Sequence, residues 1–149
     1  MSRVYKTIQI DAPVERAFDY VTTPGNWPAW HPSSLKVSGA TDHSLKPGEQ
    51  VTEEFYVVGR RGCVVWTARE REAPRRWLIE GQVQGGGSGT ITYILTPHAD
   101  GTTFEREFAY TMPNLLLALL DRLVLRRRVE AQSTEALRRL KQVLERKVA

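Results

Sequence analysis

The chain has 149 residues and a formal net charge of +4, with 41% hydrophobic and 26% charged residues, which suits one ordinary globular domain and excludes a fibrous or disordered polymer. A single cysteine, Cys63, excludes an intrachain disulfide and, standing in an apolar run, reads as a small core residue. The basic excess is local: from Asn114 onward nine Lys or Arg stand against four Asp or Glu, a net of +5, which leaves −1 for the chain before it.

The first stretch, Arg3 to Ile10, alternates apolar Val4, Ile8 and Ile10 with polar neighbours, the period of a strand. It lacks the continuous apolar core of a signal peptide, so a cytoplasmic protein is expected. Asp11-Ala-Pro-Val-Glu-Arg then predicts a helix, with Asp11 as its cap, Pro13 in its first turn and Glu15 near the positive end of its dipole. It ends by Thr22-Thr23-Pro24, and the Trp-rich segment Pro24 to Pro32 has room for one or two helical turns between its prolines and glycine.

From Leu35 to Thr111, turn signals at Lys46-Pro-Gly, Gly59-Arg-Arg-Gly, Ala73-Pro-Arg-Arg, Gly85-Gly-Gly-Ser-Gly and Pro97-His-Ala-Asp-Gly separate runs rich in Val, Ile, Thr, Tyr, Phe and Trp. This is the pattern of an antiparallel meander of six strands, seven with the first. The Gly85 to Gly89 stretch reads as a hairpin, because no Gly-Lys-Ser/Thr follows it to cradle a phosphate.

Asn114 onward predicts one long helix to about Arg146, with Leu115, Leu119, Leu125, Val129, Leu137, Leu140 and Leu144 on a single stripe at about 100° per residue. Such a helix, near 50 Å long, needs a partner as large as the sheet, and a concave sheet around one helix leaves a hollow. The expected fold class is thus α+β, one domain over residues 1–149: a seven-stranded curved antiparallel sheet, two short N-terminal helices and a long C-terminal helix over a cavity.

Alternation assigns the pocket wall. Phe104, Arg106, Phe108 and Tyr110 share the face turned to the helix, with Glu105 and Glu107 on the other. The remaining strands offer Phe55, Trp77 and Tyr93, while Trp66 stands in a run without polar contrast that leaves its direction open. Arg106 among apolar neighbours calls for a partner, either a cross-strand carboxylate such as Glu53 or Glu54 or a ligand anion. Arg122 and Arg126 fall on the apolar stripe of the helix, where they would stand at the pocket mouth or bend away into water. The expected ligand-binding set is Phe55, Trp77, Tyr93, Arg106, Phe108, Tyr110 and Arg122. Leu117, Leu120 and Val124 fall on the opposite side, an outward patch suited to a homodimer or a docking surface.

Conventional catalytic motifs are absent. His31, His43 and His98 lack the spacing of a helical zinc pair, no Gly-x-Ser-x-Gly elbow occurs, and neither a metal nor a cofactor is expected. His31, beside Trp30, reads as a turn cap or as a tuned acid or base. Arg126, Arg127 and Arg128 read as a solvated helix face or a contact for anionic lipid, and the lack of interleaved aromatics argues against nucleic acid.

The stretch Ile8-Gln-Ile-Asp-Ala-Pro-Val-Glu-Arg-Ala-Phe-Asp-Tyr-Val, followed by Pro24 to Trp30 with His31-Pro32 and later by Gly101-Thr102-Thr103-Phe104, resembles the START-like helix-grip superfamily. This superfamily includes lipid-transfer domains, polyketide cyclases and pollen-allergen-like proteins. The resemblance spans essentially the whole chain and is nearest to the polyketide cyclase/dehydrase branch. It implies an internal cavity for a hydrophobic small molecule such as a lipid, a polyketide or a quinone-like compound. The alternatives it implies are a polyketide cyclase or dehydratase, and a membrane-associated carrier of lipid or quinone.

Overall fold

The computed structural model describes residues 2–57 and 59–146. Seven strands run β1 (Ser2–Ile10), β2 (Ser34–Gly39), β3 (Gln50–Val57), β4 (Arg60–Glu72), β5 (Arg76–Val83), β6 (Ser88–His98) and β7 (Gly101–Thr111), and they form one antiparallel sheet in the order β1-β7-β6-β5-β4-β3-β2. Only β1 departs from the meander. It pairs with β7, the last strand, with Val4 opposite Phe108 and Ile8 opposite Phe104. Side chains alternate as the pleat requires: Phe104 and Arg106 are buried on the inner face, while Glu105 and Glu107 lie outside, where they accept hydrogen bonds from Tyr5 and Arg3.

Between β1 and β2 come α1 (Val14–Thr22), a single 3₁₀ turn over Pro24–Asn26, and α2 (Trp27–Trp30). The α1 start differs from expectation. Asp11 does not cap it; its backbone N–H donates to Glu145 Oε2 at 2.8 Å, and the helix opens with Ala17 N–H donating to the Pro13 carbonyl. Across the same junction Arg16 donates to the carbonyl of Leu144, one of the acceptors that a helix end leaves without an internal partner. The two ends of the chain are thereby tied together.

The long C-terminal helix is continuous but not uniform. It comprises α3 (Leu115–Leu120), a π-helical turn over Asp121–Leu125, and α4 (Arg126–Glu145). Asn114 caps it by accepting from the Leu117 N–H at 2.9 Å. Over its second half Ala136, Leu137, Leu140 and Leu144 are buried in a core shared with Phe18, Val21, Leu45, Trp77 and Phe104. That half is filled solid. The other half of the sheet, toward α3, encloses the hollow.

Among the described residues no helix is long and apolar enough to cross a membrane.

Candidate functional site

A cavity of about 470 Å³ lies between the inner face of the sheet and the helix segment from Leu117 to Ser133. This is within the range of small-molecule sites. Its walls are mostly apolar and aromatic: Phe55, Val64, Trp66, Ile91, Tyr93 and Phe108 from the sheet, and Leu117, Leu125 and Val129 from the helix. Glycines shape it. A Cβ at Gly81 would come within 2.6 Å of the Trp66 ring, and one at Gly62 within 2.5 Å of the Phe55 ring, so both rings lie flat over bare backbone. At the rim Gly85, Gly86 and Gly87 all have positive φ, and Gly86 lies against Pro113, so that the β5–β6 hairpin closes on the start of the helix.

The polar groups of the cavity gather around Arg106. Arg106 is 4% exposed, its guanidinium rests over the Phe108 ring at 5.5 Å, and NH1 donates to Ser133 Oγ at 3.3 Å. Among the described residues no carboxylate comes within ion-pair distance of it, and Nε has no partner. The expected pairing with Glu53 or Glu54 is therefore not made. Glu53 does line the cavity, but it accepts from Trp66 Nε1 at 3.0 Å, which also fixes Trp66 as an inward residue. Burial holds the Glu53 carboxyl above its ordinary range, against the opposing pull of the Trp66 hydrogen bond and of Arg106.

His31 lies beside the guanidinium, its Nε2 at 3.4 Å from Arg106 NH2. Its other nitrogen, Nδ1, lies 3.2 Å from the Ser33 backbone N and 2.8 Å from Ser33 Oγ, and Arg106 NH2, which can only donate, faces Nε2. Burial, then the charges of Arg106 and Arg139, hold the His31 pKa well below its ordinary value, which keeps the ring neutral near pH 7. His31 and Arg106 thus stand side by side on the cavity wall. Tyr93, stacked on Trp77 with centroids 5.0 Å apart, has its pKa pushed up to about 12 by burial, with the field of Arg106 pulling the other way. Chemically, such a guanidinium suits an acceptor oxygen, best a negative one, on an otherwise apolar molecule.

Of the residues expected from the sequence, Phe55, Tyr93, Arg106, Phe108 and Tyr110 meet at this cavity, whereas Trp77 and Arg122 do not. Trp77 is wholly buried behind Tyr93, with its Nε1 donating to the Leu45 carbonyl at 3.0 Å, and belongs to the solid core. Arg122 is exposed, as is Arg126, whose guanidinium reaches the Arg3 carbonyl and Glu130. For Arg122 the reason is the π-helical turn. One extra residue per turn rotates everything before it, so the inward row steps by fours through Leu117, Asp121, Leu125, Val129 and Ser133. Leu115 and Leu119, expected inside, are outside, and Leu117, expected outside, lines the cavity.

That rotation buries Asp121, which is 2% exposed and accepts from Tyr110 Oη at 2.6 Å and from Ser2 Oγ. With Asp121 as its partner and burial as the larger cause, the Tyr110 hydroxyl is pushed well above its ordinary range. Sequence reasoning missed Glu53, Trp66, Ser133 and Asp121. Glu53 shares a strand face with Phe55 in the sequence pattern but is read there chiefly as a partner for Arg106, and an apolar-stripe criterion places Asp and Ser in solvent by construction.

The sequence profile of the family described as polyketide cyclase / dehydrase and lipid transport matches residues 1–145, and the chain belongs to that family. No curated protein matches the chain in sequence. Among solved structures it is similar to protein CV1439 from Chromobacterium violaceum, at 16% identity and a TM-score of 0.76 over 97% of this chain and 98% of that one. It is similar to CalU16 from Micromonospora echinospora at 20% identity, with a TM-score of 0.62 over 96% of this chain and 76% of that one. DynU16, described as a putative protein in the dynemicin biosynthetic locus, aligns at 18% identity and a TM-score of 0.69; 97% of this chain spans 48% of that protein. These likenesses establish the START-like helix-grip fold.

Proposed function

We propose that the cavity binds a largely apolar small molecule bearing a carboxylate, phenolate or enolic oxygen, and that the Arg106 guanidinium, with neutral His31 beside it, receives that oxygen. The observation that carries this reading is Arg106, 4% exposed among aromatic walls, with no carboxylate paired to it among the described residues. Burying a charge is expensive unless something compensates it, and an occupant with a negative oxygen supplies the compensation. Apolar walls provide affinity at about 25 cal/mol per Å² buried, and the guanidinium sets orientation.

Fatty acids compared with their alcohols of equal length test it by calorimetry. The acid is expected to bind more tightly. Arg106→Met keeps the apolar stem and deletes the charge, so the preference should shrink by roughly 1.5–3 kcal/mol, the scale of a hydrogen bond to a charged group. Equal affinity of the unmodified protein for acid and alcohol would return Arg106 to a structural role.

A second reading, favoured by Glu53 and Tyr93 flanking the same guanidinium, is enolate chemistry of the cyclase or dehydratase type. Glu53, its pKa raised by burial, suits removal of a proton from a carbon next to a carbonyl, and Arg106 suits the oxygen on which the charge then develops. Hydrogen–deuterium exchange at the α-carbon of a bound β-dicarbonyl compound, lost in Glu53→Gln, separates catalysis from binding alone.

A further inference from the structure

The outer face of the segment that walls the cavity carries the least protected apolar surface of the described chain. Leu115 is 89% exposed, Leu116 77% and Leu123 66%, and Leu119, Leu120 and Val124 stand open beside them. Stepping by fours, Leu116, Leu120 and Val124 run on into Arg128, and Leu119 and Leu123 into Arg127. Arg122, Arg126, Arg127 and Arg128 are all exposed, and the two acidic residues of this stretch are already engaged, Asp121 by Tyr110 and Ser2 and Glu130 by Arg126.

A helix face with leucines over three turns and arginines on the next requires an occupant that is apolar in its depth and negative at its surface. We propose that Leu115–Val124, flanked by these arginines, docks on an anionic lipid bilayer, the leucines entering the headgroup boundary and the guanidiniums meeting lipid phosphates. Charge decides against a second copy of the chain as the occupant. Packing two such faces together would bring Arg122, Arg127 and Arg128 from each copy into one interface, while Asp121 and Glu130, the acidic residues of this stretch, are already engaged. The proposal stands on the outer face alone and does not depend on what fills the cavity.

Flotation of the full chain with vesicles of phosphatidylcholine, with and without phosphatidylglycerol, tests it. The protein is expected to float with the anionic vesicles at least roughly tenfold better than with the neutral ones, and to be released by high salt. The triple change Arg126→Gln, Arg127→Gln and Arg128→Gln should weaken binding by about fivefold for each charge removed. Leu116→Ser with Leu119→Ser and Leu123→Ser should reduce it at least roughly tenfold at an unchanged melting temperature. Should that triple variant unfold, Leu116→Ser alone serves, being on a residue that packs against almost nothing. Failure of the unmodified protein to float, equal partition onto neutral vesicles, or a leucine-dependent dimer in sedimentation equilibrium would each overturn the proposal.

Discussion

At the scale of single residues, the interior of the cavity is a small set of titratable groups placed where water cannot offset their charge. His31 shows the consequence for stability. Its ordinary pKa is 6.5, and in the folded protein it lies well below that. As pH falls through about 6.5, the unfolded chain binds a proton that the folded one refuses, and stability declines toward acid by up to about 1.4 kcal/mol per pH unit until the folded value is reached. Glu53 acts in the opposite sense. Its folded value is raised from 4.5, so the unfolded chain ionises first and stability declines as pH rises through that window before levelling. Urea melts between about pH 5 and pH 7 should therefore show a slope that His31→Gln reduces. An identical slope in the two proteins would mean that His31 gains its proton freely in the folded state.

At the scale of elements, the helix over the sheet joins two halves held by different forces. From Ser133 to Leu144 it is held by buried side chains, and from Leu115 to Leu125 its one fully buried side chain is the Asp121 carboxylate. Tyr110→Phe removes one of the two donors to Asp121 and should cost about 1–3 kcal/mol, the penalty for an under-satisfied buried acceptor. Replacing both partners by apolar groups should restore much of that loss, so the double variant Tyr110→Phe with Asp121→Leu should melt above the sum of the two single changes in a double-mutant cycle. Strict additivity would show that the hydroxyl and the carboxylate do not act as a pair. The stripe rule read Leu137, Leu140 and Leu144 correctly because α4 keeps a regular period, and it misplaced Leu115, Leu117 and Leu119 because a π-helical turn leaves no residue signature that a periodicity argument can use.

At the scale of the whole molecule, strand parity and turn chemistry were enough to place the sheet, since proline and glycine punctuate every hairpin and the aromatic face of β7 contrasts with Glu105 and Glu107. The cavity was legible in outline for the same reason, but its polar arrangement was not. Glu53 is taken by Trp66 Nε1 and not by Arg106, and Trp66 points inward because Gly81 on the neighbouring strand leaves room for its ring. The helix-grip packing carries its own prediction. A chain ending at Ala136 loses Leu137, Leu140 and Leu144, each about 2–5 kcal/mol when truncated singly, which together approach the total stability of a domain of this size. Circular dichroism of that chain should show no cooperative thermal transition, and an unchanged melting temperature would exclude this packing.

The placement of Asp121 also bears on time. A wall fastened by two hydrogen bonds to one carboxylate opens at a smaller free energy than a wall fastened by packed leucines, so amide exchange should be fastest in 115–125 and slowest around Leu137 to Leu144. An occupant enclosed behind such a wall leaves no faster than the wall opens. Its residence time is then set by two hydroxyls bonded to one carboxylate behind the cavity wall, and Ser2→Ala should shorten that residence while leaving the acid-over-alcohol preference at Arg106 as it was.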